Sequence, residues 1–141
     1  MPRADFYLID KPRFREQPLL LVCELAKRGY AANLSILVLA RDAAQAEAID
    51  DLMWSFDPDE YLPHQIAGMD EGDDDTPILI ATPDMDIPAR PVLLNLRDAA
   101  PTGSFERVLE VVPADPSARG PLRERWKHYQ SLGFDVNKHD M

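Results

Sequence analysis

The sequence predicts an α/β fold, a mainly parallel sheet with helices packed on it, and three observations carry that expectation. Strand-length runs of branched apolar residues alternate along the chain with longer stretches of helical pattern. Runs such as NLSILVLA at 33–40 are apolar throughout instead of alternating, as in strands covered on both faces. The 141 residues, 45% hydrophobic and 28% charged, suffice for one core, so residues 1–141 are expected to form a single domain.

The elements follow in order. ADFYLID (4–10) carries aromatic and aliphatic residues at strand spacing and stops at the turn signal KPR, giving a first strand. Residues 16–29 contain PLLLVCELAKRG, apolar around most of its circumference, with Lys27 and Arg28 in the expected last turn and Gly29 as the stop, so a largely buried helix is expected. NLSILVLA is the second strand, and RDAAQAEAIDDLMWSF (41–56) an Ala-rich helix. DPDEYLPHQIAG and MDEGDDDT read as proline-punctuated and polar loops. PILIAT and PVLLNL are two further strands, RVLEVVP (107–113) is the last strand, and residues 116–132 form the last helix. In that helix Gly120-Pro121 suggests that Pro121 occupies the first helical position and leaves Arg119 in the preceding turn.

Composition narrows the function. Cys23 is the single cysteine and lies in an apolar helix, which points to a core thiol. His64, His128 and His139 are too scattered to make a zinc site, and the acidic run 70–75 does not have the spacing of a calcium loop. MPRADFYLID lacks the apolar stretch of a secretory signal and no run is long enough to span a membrane, so a cytoplasmic location is expected. The first strand enters DKPRFREQP without a glycine, so neither dinucleotide nor P-loop phosphate cradles are present, and there is no Gly-x-Ser-x-Gly elbow. No cofactor and no catalytic constellation are expected.

Charge is lopsided. The formal net charge is -10, which repels a nucleic-acid backbone overall. From Asp42 to Ala89 there are fourteen acidic residues and no Lys or Arg, whereas residues 116–130 hold Arg119, Arg123, Arg125 and Lys127 against Glu124 alone. At 100° per residue, Arg119, Arg123, Trp126, Lys127 and Gln130 share an arc of about 100°, with Leu122, Tyr129 and Leu132 on the adjoining one. Such an edge suits a partner with carboxylates and a terminal apolar residue, since guanidinium groups grip carboxylates while an aromatic face covers apolar atoms. It also suits a solvated helix whose cations pair with the chain's own acidic middle. A second aromatic group, Trp54, Phe56 and Tyr61 with Leu62 and Pro63, either plugs the core or forms a contact surface.

Five segments, ADFYLID, VCELAKRG, ILVLARDAAQAEAID, DLMWSFDPDEYLPHQIAG and RERWKHYQSLGFDV, follow one another across most of the chain. In that order they resemble the chi subunit family of the bacterial DNA polymerase III holoenzyme. The most specific part is the pattern of Trp54, Phe56, Leu62, Pro63, His64, Ala67 and Gly68. The resemblance implies a non-catalytic, Rossmann-like domain without nucleotide-binding motifs, monomeric alone and heterodimeric with psi. It implies that the chain bridges psi, and through it the clamp loader, to the acidic C-terminal tail of single-stranded DNA-binding protein (SSB). The implied tail site is Arg119, Arg123, Trp126, Lys127 and Gln130, and the implied psi site Trp54, Phe56, Tyr61, Leu62 and Pro63. A repair helicase is a further partner that the resemblance leaves open for the Trp54 surface. Two other classes stand beside this reading: a nucleotide-dependent enzyme on such a sheet, and direct single-strand binding by the Arg/Trp helix.

Overall fold

The computed structural model describes residues 2–56, 62–68, 76–85, 87–97, 99–101 and 105–141. Its centre is a seven-stranded sheet in the order β3-β4-β2-β5-β6-β1-β7, in which every neighbouring pair is parallel. The strands are β1 (Arg3–Leu8), β2 (Ile36–Leu39), β3 (His64–Ile66), β4 (Ile78–Ala81), β5 (Val92–Asn95), β6 (Arg107–Val112) and β7 (Asp135–Asp140). The helices are α1 (Pro12–Glu16), α2 (Leu19–Ala31), α3 (Ala43–Ser55) and α4 (Arg119–Ser131). Parallel strands need crossovers: α1 and α2 lie between β1 and β2, α3 between β2 and β3 and α4 between β6 and β7, and the helices cover both faces.

Two apolar layers result. On one face Ile36, Val38, Ile78, Ile80 and Leu94 meet Leu21, Val22 and Leu25 of α2 and Ile49 and Met53 of α3. On the other, Ala4, Phe6, Leu37, Leu79, Leu93 and Val108 meet Tyr129 of α4, with Leu122, Trp126 and Phe134 packed alongside. The central strands β2, β4 and β5 are buried at every position, which is why their sequences run apolar without alternation.

Five expectations change. The helix expected from 16 to 29 begins only at Leu19, and a separate short helix, α1, forms over Pro12–Glu16 where a turn was expected. Gly29 does not end α2, which runs on to Ala31; a Cβ at 29 would stand 2.3 Å from Ile36 Cδ1, so glycine serves a close approach to β2, and Asn33 takes the left-handed conformation (φ 60°) beyond the helix. β6 is not the last strand, because the chain returns after α4 to add β7 beside β1. The proline-rich middle contains the short edge strand β3. Arg119 is the first residue of α4, so Pro121 stands third in the first turn, where its missing N–H has no intrahelical partner to lose.

β7 is fastened by a buried carboxylate. Asp5, fully buried, accepts from Arg3 Nε at 3.0 Å and Arg107 Nε at 2.7 Å and pairs with His139 Nε2 at 2.9 Å, so one side chain joins β1, β6 and β7. Burial alone would raise this carboxyl, but the contacts from His139, Arg107 and Arg3 outweigh it and hold it below its ordinary value. The His139 ring stacks on Tyr7 at 4.7 Å, and Arg107 Nη2 donates to the Tyr7 hydroxyl at 2.9 Å.

Candidate functional site

α4 is amphipathic in a specific way. Its apolar side anchors it to the sheet: Tyr129 is fully buried, edge-on to Phe6 at 5.9 Å and stacked with Phe134 at 5.4 Å. Trp126 sits at the border, half-buried, its ring 5.1 Å from Phe6. Arg119, Arg123, Lys127 and Gln130 are exposed beside it, as their shared arc requires. The side chains of Arg119, Arg123 and Lys127 make no hydrogen bond or ion pair with any described residue. Leu132, grouped by periodicity with the buried arc, is instead 57% exposed, because it lies at the helix end beyond the sheet contact.

The fourth cation of this segment goes elsewhere. Arg125 turns toward the sheet, and its Nε lies 3.2 Å from Glu110 Oε1 on β6. Glu110 is 1% exposed and also accepts from Asn95 Nδ2 at 2.9 and 3.0 Å. Burial pushes the Glu110 carboxyl up to about 7 against the opposing pull of Arg125 and Asn95. Burial, and then the negative charge of Glu110, also raises the Tyr129 phenol. This network was not among the expected site residues; an acidic residue inside the apolar run RVLEVVP was its only trace in the sequence.

The aromatic group after α3 divides. Trp54 is 58% exposed at the carboxyl end of α3, and its ring meets that of His64 at 4.8 Å in an edge arrangement. His64 is buried, with Nδ1 2.6 Å from the Leu62 carbonyl and Nε2 3.1 Å from Asp50 Oδ1, and thereby braces the indole. Phe56 is half-buried against the core, with Lys27 Nζ 6.0 Å above its ring. Pro63 is half-buried, whereas Leu62 is buried in the core and offers no surface, because the strand-like path into β3 turns it inward. Tyr61 and the acidic run 70–75 lie outside the described residues. The Trp54 group and the α4 edge stand on opposite faces of the sheet, since α3 packs in the first apolar layer and α4 in the second.

Cys23 is fully buried in α2, and burial pushes its thiol up to about 12. Among the described residues no three His, Cys, Asp or Glu side chains gather as a metal-binding group, and no helix is long and apolar enough to cross a membrane.

The family model for the DNA polymerase III chi subunit, HolC, matches residues 1–137. The chain is 31% identical over 147 residues to DNA polymerase III subunit chi of Escherichia coli, covering 97% of each. It is 29% identical over 143 residues to the subunit of that name from Pseudomonas aeruginosa, covering 99% of this chain and 96% of the relative. In architecture it is similar to the C-terminal domain of the DEAD-box protein Dbp5, with a TM-score of 0.65 at 12% identity over 99% of this chain and 90% of that one. Domain 2 of the Mss116p DEAD-box helicase gives 0.60 at 13% identity, over 98% of this chain and 64% of that one. At that identity these two likenesses speak to fold alone, whereas the sequence matches are nearly end to end: the chain belongs to the chi subunit family of DNA polymerase III, accessory subunits of DNA replication.

Proposed function

We propose that this chain is a non-catalytic cytoplasmic adaptor. It binds the acidic C-terminal tail of SSB on the exposed edge of α4 and binds psi, hence the clamp loader, at the Trp54 end of α3. The observation that carries the first half is the set of three exposed cations, Arg119, Arg123 and Lys127, that pair with no described residue although the chain carries a net charge of -10. An acidic chain has carboxylates enough to neutralise its own arginines, so cations left open beside a half-buried tryptophan suit an external anion with an apolar end. Gln130 completes the edge as a neutral donor. Calorimetry with a tail peptide tests this: the free-acid peptide is expected to bind, and the same peptide amidated at its terminus to bind several-fold more weakly. Tighter binding to a bare single-stranded oligonucleotide than to the peptide would favour a stacking surface for nucleic acid and overturn the tail assignment.

The second half rests on Trp54. A large aromatic side chain that is 58% exposed yet braced by His64 is ordered before any partner arrives, which lowers the entropic cost of binding. Phe56, Pro63 and Tyr61 are assigned with it, and Leu62 supports the site from within. Trp54→Ala is expected to weaken psi binding by about 2 kcal/mol and to leave tail-peptide affinity unchanged, the two surfaces being on opposite faces. Unaltered psi affinity in a folded variant would remove Trp54 from the interface.

A further inference from the structure

A cleft of about 700 Å³ lies at the carboxyl end of the sheet, over the ends of β5 and β6 and between the amino-terminal halves of α2, α3 and α4. In parallel α/β sheets this end is where ligands sit, because the loops diverge there. The glycine-rich phosphate turns are missing, and α3 already has its own cap, Asp42 Oδ1 accepting from the Gln45 backbone N–H at 2.8 Å. The helix ends therefore do not supply the seat for an anion.

The arginines do. Three line the cleft, and two are matched by carboxylates: Arg41 Nε is 3.3 Å from Asp42 Oδ2, and Arg125 reaches Glu110 beneath the floor. Arg97 has no carboxylate partner among the described residues. Its Nε donates to the Ala40 carbonyl at 3.0 Å and Nη2 to that of Ala81 at 3.3 Å, so among the described residues the guanidinium is fixed over the ends of β2 and β4 by neutral groups alone. The loop that brings it there is itself built from below. Asn95, 2% exposed, accepts from the Arg97 backbone N–H at 3.1 Å and donates to the Ala99 carbonyl at 3.0 Å. This preorganised cation, with no carboxylate partner among the described residues, shares the cleft with walls that include Leu19, Val22 and Leu96.

We propose that this cleft binds a small organic anion, its carboxylate or phosphate on Arg97 and its apolar body against Leu19, Val22 and Leu96. The site is separate from the α4 edge: the helix positions in the cleft, Pro121 and Arg125, lie on the flank of α4 away from Arg123 and Lys127. It does not depend on the assignment of the SSB tail.

Three probes that share one ring test it by NMR titration of the full chain: phenyl phosphate, benzoate and the neutral benzamide. Saturable shifts at cleft residues are expected with the two anions, and benzamide is expected to bind at least about tenfold more weakly; the stronger of the two anions identifies the head group. Arg97→Met is expected to lower anion affinity about tenfold. Because that change also removes two strand-end hydrogen bonds, Ala44→Phe provides a second route: it fills the cleft from an exposed position on α3 and is expected to abolish the shifts while the fold is kept. Equal binding of all three probes, or wild-type anion binding by folded Ala44→Phe, would overturn the proposal. So would competitive displacement of phenyl phosphate by an SSB-tail peptide, which would make the cleft part of the α4 site.

Discussion

Replacing Arg125 with Met is expected to cost about 3–5 kcal/mol of stability near pH 8 and only about 1 kcal/mol near pH 5. The pH dependence follows from Glu110, whose carboxyl is buried and pushed up to about 7 from an ordinary value of 4.5. A group raised in the folded state contributes stability that is complete below its unfolded value and is lost as pH rises through the folded one. In the wild-type chain the Arg125 guanidinium, 3.2 Å away, limits that loss by compensating the carboxylate. Without it the charged form is uncompensated in the sheet, so at pH 8 the variant must either bury a lone charge or hold a proton against the solvent. Near pH 5 the carboxyl is protonated in both proteins and the difference shrinks to lost packing. Urea denaturation at the two pH values measures this directly, and groups common to both chains cancel in the comparison. A destabilisation equal at both pH values would show that Arg125 acts through its packing and not through its charge.

The same residue shows what could be read from the sequence and what could not. Arg125 belongs to a run of basic residues, and composition alone groups it with Arg119, Arg123 and Lys127. Helical spacing puts it off their arc, but only the contact with Glu110, fifteen residues back and in a different element, shows what it pairs with. The strands β2, β4 and β5 were legible because burial on both faces leaves a continuous apolar signature. β7 was not: DVNKHD is an edge strand with polar residues on both faces, and it is held by long-range contacts such as that of His139 with Asp5. Gly29 carried the local signature of a helix stop, but its reason is Ile36 across the layer. The arc of Arg119, Arg123, Trp126, Lys127 and Gln130 could be drawn from periodicity because a helix makes its faces from sequence spacing alone. The division of the Trp54 group could not, since whether Leu62 points inward depends on where β3 joins the sheet.

Arg123→Ala and Trp126→Ala are expected to weaken binding of an SSB-tail peptide in different ways, and the difference identifies what each contributes. Arg123 is exposed and pairs with no described residue, so its guanidinium is available to a carboxylate without breaking an internal contact. Its removal is expected to cost on the order of 1–3 kcal/mol, the range of a charge-assisted hydrogen bond. Because the pair is solvent-exposed, raising salt should weaken the wild type more than this variant. Trp126 differs because it is partly buried, its ring 5.1 Å from Phe6, and only the outward part can cover an apolar peptide end. Trp126→Ala should therefore lose affinity while keeping the wild-type salt slope. Since Trp126 also helps to anchor α4, its effect on binding counts only where circular dichroism and the melting temperature show the helix still docked. The Arg123 variant has no such complication, as an exposed side chain without partners among the described residues can be removed at little cost to the fold. Wild-type affinity at low salt in both folded variants would leave α4 as a solvated basic edge and remove it from the adaptor's function.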